Sequence, residues 1–293
     1  MKRITLFASL ALASCLTVSA QRTPTHPLDI QDAKFENLPN YLEAWLKGEM
    51  KQPQGVSEID DQFFISRVRP LDRIKDGDYQ VRPEVKRDRK MCLWTPLDDP
   101  TSKWKALPRY CFEGDNFSLW SYIDIHGNWT SPWIRSTAGL TDVAHKNGVS
   151  VGCLMSVPDG RTIYLSPWRS DSYSKILYKL TLNQNGKYVY AEPLVRMMKF
   201  YGINGIGFNS EFHTSADVMR QLTEFFVACH KEAEKLNWKF EVHWYDGTSD
   251  DGQIHFDGGL GYHNQKIFGD KDNIATDMLF ANYNWGPGHL SAS

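Results

Sequence analysis

Asn209 and Glu211 stand two residues apart at the end of the apolar run Gly205-Ile206-Gly207-Phe208. In an extended chain, alternate side chains point the same way. The pair therefore offers one amide and one carboxyl to the same side. A carboxyl whose pKa is raised by its surroundings can protonate a leaving oxygen and later activate water. An amide is neither nucleophile nor base, but it can hydrogen-bond another amide. Most retaining glycosidases use two carboxylates; substrate-assisted families differ, and there the sugar's own 2-acetamido group can attack the anomeric carbon. An Asn beside a single acid suits that variant. Asn-x-Glu is a common triplet, and on spacing alone it also reads as a cap for the helix that follows.

Two further clusters sit at the ends of apolar runs. In His243-Trp244-Tyr245-Asp246, Tyr245 is a hydrogen-bond donor for a sugar or an acetamide. Trp244 and Asp246 are candidate sugar contacts, although a lone Trp also suits a core and Asp before Gly247 also suits a turn. In Asn282-Tyr283-Asn284-Trp285, Trp285 is a candidate platform for a sugar ring, with Asn282 and Asn284 as hydroxyl partners. Asp124, His126 and Trp129, read as the end of an earlier strand, invite a metal reading. No third ligand stands at a recognisable spacing, so no metal and no cofactor are expected.

These residues need a frame. Strands are predicted at Lys90–Trp94, Leu119–Ile125, from Gly148 through Gly152, Gly205–Asn209, Phe240–Tyr245 and Met278–Tyr283. Helices are predicted at Leu140–Asn147, Ala191–Tyr201 and Thr214–Leu236, the last opened by the capping residues Thr214, Ser215 and Asp217. Alternating strands and helices imply a parallel sheet. No Gly-rich phosphate loop follows the first strand, which weighs against a nucleotide-binding sheet. Polar and aromatic residues gather instead at strand C-terminal ends, where (β/α)8 barrels carry their chemistry. The expected fold is an α/β TIM barrel. About six strands are countable where a barrel needs eight, so the barrel over residues 87–293 is expected to be truncated, incomplete at the C-terminus.

Residues 21–86 are polar and broken by prolines, with one short helix predicted from Pro39 to Lys47. They read as a leader packing on the barrel. Residues 1–20 read as a signal peptide: Lys2 and Arg3, an apolar run from Ile4 to Val18, and Val18-Ser19-Ala20 before Gln21. That run is too short to span a bilayer comfortably, and no other stretch reads as a transmembrane helix. Leu12-Ala13-Ser14-Cys15 also resembles a lipobox, with a lipid anchor at Cys15. The apolar run continues past Cys15, which favours ordinary cleavage. Either route exports the chain to the periplasm, the cell surface or the medium.

With 33 basic and 35 acidic residues and a net charge of −2, the chain has no basic field for a phosphate backbone, so nucleic acid is not an expected partner. Aromatic residues make up 13% of the chain, enough both to fill a core and to floor a sugar site, and composition does not separate the two. Cys92, Cys111, Cys153 and Cys229 match no zinc spacing. An exported chain can form disulfides, but Cys153 and Cys229 sit in apolar patterns that read as buried strand and helix, and the plainer reading is buried free thiols.

Taken together and in this order, the segments resemble glycoside hydrolase family 85, the endo-β-N-acetylglucosaminidases. The likeness runs from about Trp120 to Trp285, through LWSYIDI, LTDVAHKNGVSVG, FYGINGIGFNSE, HWYDG and ANYNW. The resemblance implies that Glu211 is the acid/base, that Asn209 orients the 2-acetamido group, and that Tyr245 supports it. Trp285 would line the sugar subsite. It also implies an N-linked glycan or glycoprotein substrate, cut with retention between the two N-acetylglucosamines of its core. Ser210-Glu211-Phe212 departs from the family's Ile-Glu-Asn, and Gly247 stands where Ser is common. A non-catalytic glycan-binding protein on the same barrel is the alternative; a chitinase-like enzyme is disfavoured, because Asn209 replaces that class's Asp.

Overall fold

The computed structural model describes residues 38–47, 65–71, 90–95, 119–128, 138–157 and 177–282. Residues 1–20, Cys111, Trp129, Asn284 and Trp285, all named above, lie outside them.

In chain order the elements are α1 (Leu38–Leu46), β1 (Cys92–Thr95), β2 (Ile125–Asn128), α2 (Ala138–Lys146), β3 (Ser150–Val157), β4 (Asn183–Gln184), β5 (Lys187–Tyr188), α3 (Ala191–Tyr201), β6 (Gly205–Ser210), α4 (Ala216–Lys235), β7 (Glu241–Tyr245) and β8 (Met278–Phe280). Strands β4 and β5 form a separate antiparallel hairpin. The others make one parallel sheet in the order β1-β2-β3-β6-β7-β8.

Helix α4 shows why these segments fold as they do. Val218, Met219, Leu222, Phe225, Phe226, Cys229 and Ala233 recur at helical spacing and are buried, and the Ser215 hydroxyl caps the helix by accepting from the Val218 amide at 3.3 Å. Helix α3 stops at Gly202, whose φ of 79° is left-handed and favours glycine. The core lies between helices and sheet: Phe208 and Trp244 from β6 and β7 pack on Phe226 of α4, with ring centroids 5.2–6.2 Å apart. Leu38 and Leu42 of α1 join the same core, and Tyr190 Oη donates to Glu43 at 2.6 Å. Cys153 and Cys229 are buried and Cys92 is half-buried, and among the described residues none of the three is in a disulfide.

The other face of the sheet curls inward. A flat sheet of six strands would hold its edges roughly 24 Å apart, at about 4.8 Å per strand. Here the edge strands touch: the rings of Trp94 on β1 and Phe280 on β8 lie 5.0 Å apart. Trp94 reaches inward because its neighbours in register, Gly127 and Gly152, carry no side chain. A Cβ on Gly127 would collide with the indole, and one on Gly152 would stand 3.2 Å from it. Such closure is that of a (β/α)8 barrel, of which the described residues supply six strands.

The N-terminal end of this interior is filled with charge. Glu241, at the start of β7, meets Lys90 at 3.1 Å and Lys239 at 3.4 Å, and His243 Nε2 stands 3.8 Å from its second oxygen. Burial alone would raise the Glu241 pKa; His243 and the two lysines outweigh it and hold the carboxyl down at about 2.

The expected strand at Leu119–Ile125 is corrected. Trp120–Tyr122 form a 3-10 turn, and the strand begins only at Ile125. Asp124 diverts the chain: its amide donates to the Met91 carbonyl, and its carboxylate accepts from the Met91 amide, each at 2.8 Å. Asp124 and His126 thus lie before and within β2, not at its C-terminal end. His126 is fully buried, and burial lowers its pKa to about 4. The β4–β5 hairpin had no forecast in the sequence reading.

Candidate functional site

Strand β6 runs through a Gly-x-Gly start into Phe208, Asn209 and Ser210. Its even-numbered residues Ile206, Phe208 and Ser210 are buried, as is Phe212 just beyond. Asn209 and Glu211, in the alternate phase, are only partly buried. They share the phase of Gly205, where a Cβ would stand 3.0 Å from the His243 ring that packs on Trp94, so that phase faces the barrel interior. Strand alternation thus puts the pair over the interior at the C-terminal end.

Tyr245 ends the neighbouring strand. The register pairs Phe208 with Trp244, which makes Asn209 and Tyr245 next in line. Ser210 Oγ donates to the Tyr245 carbonyl at 3.0 Å and fastens the two strand ends together. Asn209, Glu211 and Tyr245 are therefore brought to one place. Burial raises the Glu211 pKa above the ordinary carboxylate value, with no compensating cation beside it among the described residues. Neither Asn209 nor Glu211 makes a side-chain hydrogen bond among the described residues. A half-desolvated carboxyl with an unengaged amide beside it can give a proton to a leaving oxygen and take one from water.

Trp244 and Asp246 are corrections to the sequence reading. Alternation turns Trp244 to the helix side, where it is fully buried against Phe208 and Phe226 and donates from Nε1 to the Thr248 carbonyl at 2.9 Å. It offers no face to a sugar. Asp246 is 1% exposed. Its carboxylate accepts from the Gly258 amide at 2.5 Å, from Asn264 Nδ2 at 3.0 Å, from the Asp257 amide at 3.3 Å and from the Asn282 amide at 3.5 Å. Those oxygens are spent on tying the long segment after β7 to the end of β8. Asn282 is itself buried, and Asn284 and Trp285 lie outside the described residues.

The sequence reading missed Phe256. It is 51% exposed, and its ring centroid lies 6.2 Å from that of Tyr245. A half-exposed aromatic beside a strand-end Tyr is a natural floor for a sugar ring. The only sequence signal was an aromatic isolated in the Gly- and Asp-rich run 246–261. No cluster of His, Cys, Asp and Glu among the described residues could hold a metal ion, and none of their helices is long and apolar enough to cross a membrane.

Comparison with known proteins bears on this geometry. The glycoside hydrolase domain of Endo-D from Streptococcus pneumoniae R6 superposes with a TM-score of 0.62 at 20% identity, over 82% of this chain and 37% of that one, a likeness of fold. The cytosolic endo-beta-N-acetylglucosaminidase of Gallus gallus is 26% identical over 179 residues, 59% of this chain and 22% of that protein. The chain thus spans about a fifth of the length of that relative. The family model Glycosyl hydrolase family 85 matches residues 103–293, about two thirds of the chain. The strand order, the curl of the sheet and that match agree: this chain belongs to glycosyl hydrolase family 85.

Proposed function

We propose that the protein hydrolyses the β-1,4 bond between the two N-acetylglucosamines at the core of an N-linked glycan, with retention and with the substrate's acetamide as nucleophile. The observation that carries this reading is the Asn209–Glu211 pair on one side of β6, with Glu211 shifted toward its protonated form by burial alone. Glu211 protonates the departing glycosidic oxygen. The 2-acetamido oxygen attacks the anomeric carbon and forms an oxazolinium. Asn209 and Tyr245 hydrogen-bond the acetamide, keep its oxygen aimed and stabilise the charge that develops. Glu211, now ionised, takes a proton from the water that opens the ring. No second carboxylate is needed in this scheme, which agrees with Asn rather than Asp at 209. Phe256 serves as a sugar platform beside Tyr245.

The name of the Gallus gallus relative supports the choice of bond. The apolar run and cleavage site within residues 1–20 support export, by signal cleavage or through a lipid anchor at Cys15.

The test is mass spectrometry of a denatured N-glycoprotein after incubation with the full chain. A single N-acetylglucosamine left on each asparagine is the expected product. Turnover that survives Glu211→Gln would sink the assignment of the acid.

A further inference from the structure

Glu211 has no hydrogen bond of its own among the described residues, so its position is set through the backbone on either side of it. Both sides are held by one residue. Thr248, 1% exposed, lies just past the end of β7. Its hydroxyl donates to the Phe212 carbonyl at 2.6 Å and accepts from the Phe212 amide at 3.1 Å, with the Ser210 carbonyl at 3.2 Å. Its own amide donates to that Ser210 carbonyl at 2.8 Å. Residues 210 and 212 are thus bound to Thr248, and Glu211 is the residue between them.

The clamp is itself anchored. The Thr248 carbonyl accepts from Trp244 Nε1 at 2.9 Å, and Thr248 pairs with Ile254 as an antiparallel bridge. The approach is close enough to dictate the residue before it. A Cβ at Gly247 would collide with the Ser210 carbonyl, which accounts for glycine at that position in this chain.

We propose that Thr248 is the positioning residue for Glu211: its hydroxyl, as simultaneous donor and acceptor, fixes the carboxyl over the barrel mouth. The proposal rests on the reading of Glu211 as acid/base. Valine has nearly the shape of threonine but neither donor nor acceptor, whereas serine keeps both. This makes the hydroxyl separable from packing.

The experiment compares the full chain with Thr248→Val and Thr248→Ser, using an N-glycosylated peptide that carries the intact core. Thr248→Val is expected to lower kcat by about 10- to 100-fold, the scale of a displaced catalytic group, with KM within about threefold. Thr248→Ser should restore kcat to within about threefold. The limb of the pH profile lost in Glu211→Gln should move in Thr248→Val and return in Thr248→Ser. Amide exchange at Phe212 should quicken by at least about tenfold in Thr248→Val and recover in Thr248→Ser. If Thr248→Val does not fold, Thr248→Ala removes the same hydroxyl without pressing a methyl on the carbonyls and is read the same way. Unchanged Phe212 exchange, or a kcat loss that serine does not restore, overturns the proposal. If the wild-type chain releases no glycan, the functional reading fails. The clamp is then still decided by Phe212 exchange and by the titration of Glu211 followed through its carboxyl carbon.

Discussion

Two glutamates on neighbouring strands mark the two ends of the barrel interior, and their surroundings push them in opposite directions. Glu241, at the N-terminal end of β7, is nearly fully buried, yet His243, Lys239 and Lys90 hold its carboxyl ionised down to about 2. Glu211, past the C-terminal end of β6, is less buried, yet its pKa rises, because burial acts on it with no offsetting positive group among the described residues. Burial taxes the charged form in both; a partner charge reverses the outcome in one. One end of the sheet thus spends its carboxylate on holding the fold, and the other keeps its carboxylate available for proton transfer. This is the division between the two faces of a (β/α) barrel.

The contrast can be broken by exchanging each carboxylate for its amide. The largest expected effect is on turnover: Glu211→Gln should lower it by about 10²- to 10⁴-fold, the usual worth of a general acid, while Glu241→Gln leaves turnover per folded molecule unchanged. Glycan release by mass spectrometry, normalised to folded protein, reads both. Next is stability. Glu241→Gln at neutral pH should cost about 1–3 kcal/mol in denaturant unfolding, less than a fully buried pair because both lysines are about half exposed. The pH dependence sharpens this. The Glu241 carboxyl is depressed from an ordinary 4.5 to about 2, so its contribution is present above 4.5 and lost as pH falls toward 2. The stability gap between wild type and Glu241→Gln should therefore close across that window. The smallest effect has the opposite sign. Glu211 has a raised pKa, so its stabilising share is present below 4.5 and lost as pH rises through the folded value. Glu211→Gln should raise Tm by about 1–2 °C at neutral pH, and the gain should vanish below pH 4.5.

The parts of this picture that depend on local pattern were legible in the sequence. Helix α3 was placed residue for residue, and α4 to within two residues at each end, because apolar spacing and capping residues mark them. Strand β6 and the shared side of Asn209 and Glu211 followed from a period of two. The same period, applied to His243-Trp244-Tyr245-Asp246, forbids Trp244 and Tyr245 from facing one way; contiguity made the run look like a single site. What remained illegible was long-range. Asp246 finds its partners 11, 12, 18 and 36 residues away, and the Thr248 hydroxyl finds Phe212 36 residues back. No pattern within a strand announces such bonds. The 3-10 turn at Trp120–Tyr122 was missed for the same reason, since the Asp124–Met91 pair that displaces the strand spans 33 residues.

Trp94 and its glycines carry a consequence for how this chain can change by mutation. The indole lies where side chains from β2 and β3 would otherwise meet, and it touches the strand at the far edge of the sheet. A larger residue at 127 has no room while the indole is there, and a smaller residue at 94 leaves a hole while the glycines are there. Each first step is therefore downhill in stability, and only the second restores it. Positions 94, 127 and 152 can drift only as a linked set, and a descendant that fills the barrel differently must cross a less stable intermediate to reach its new arrangement.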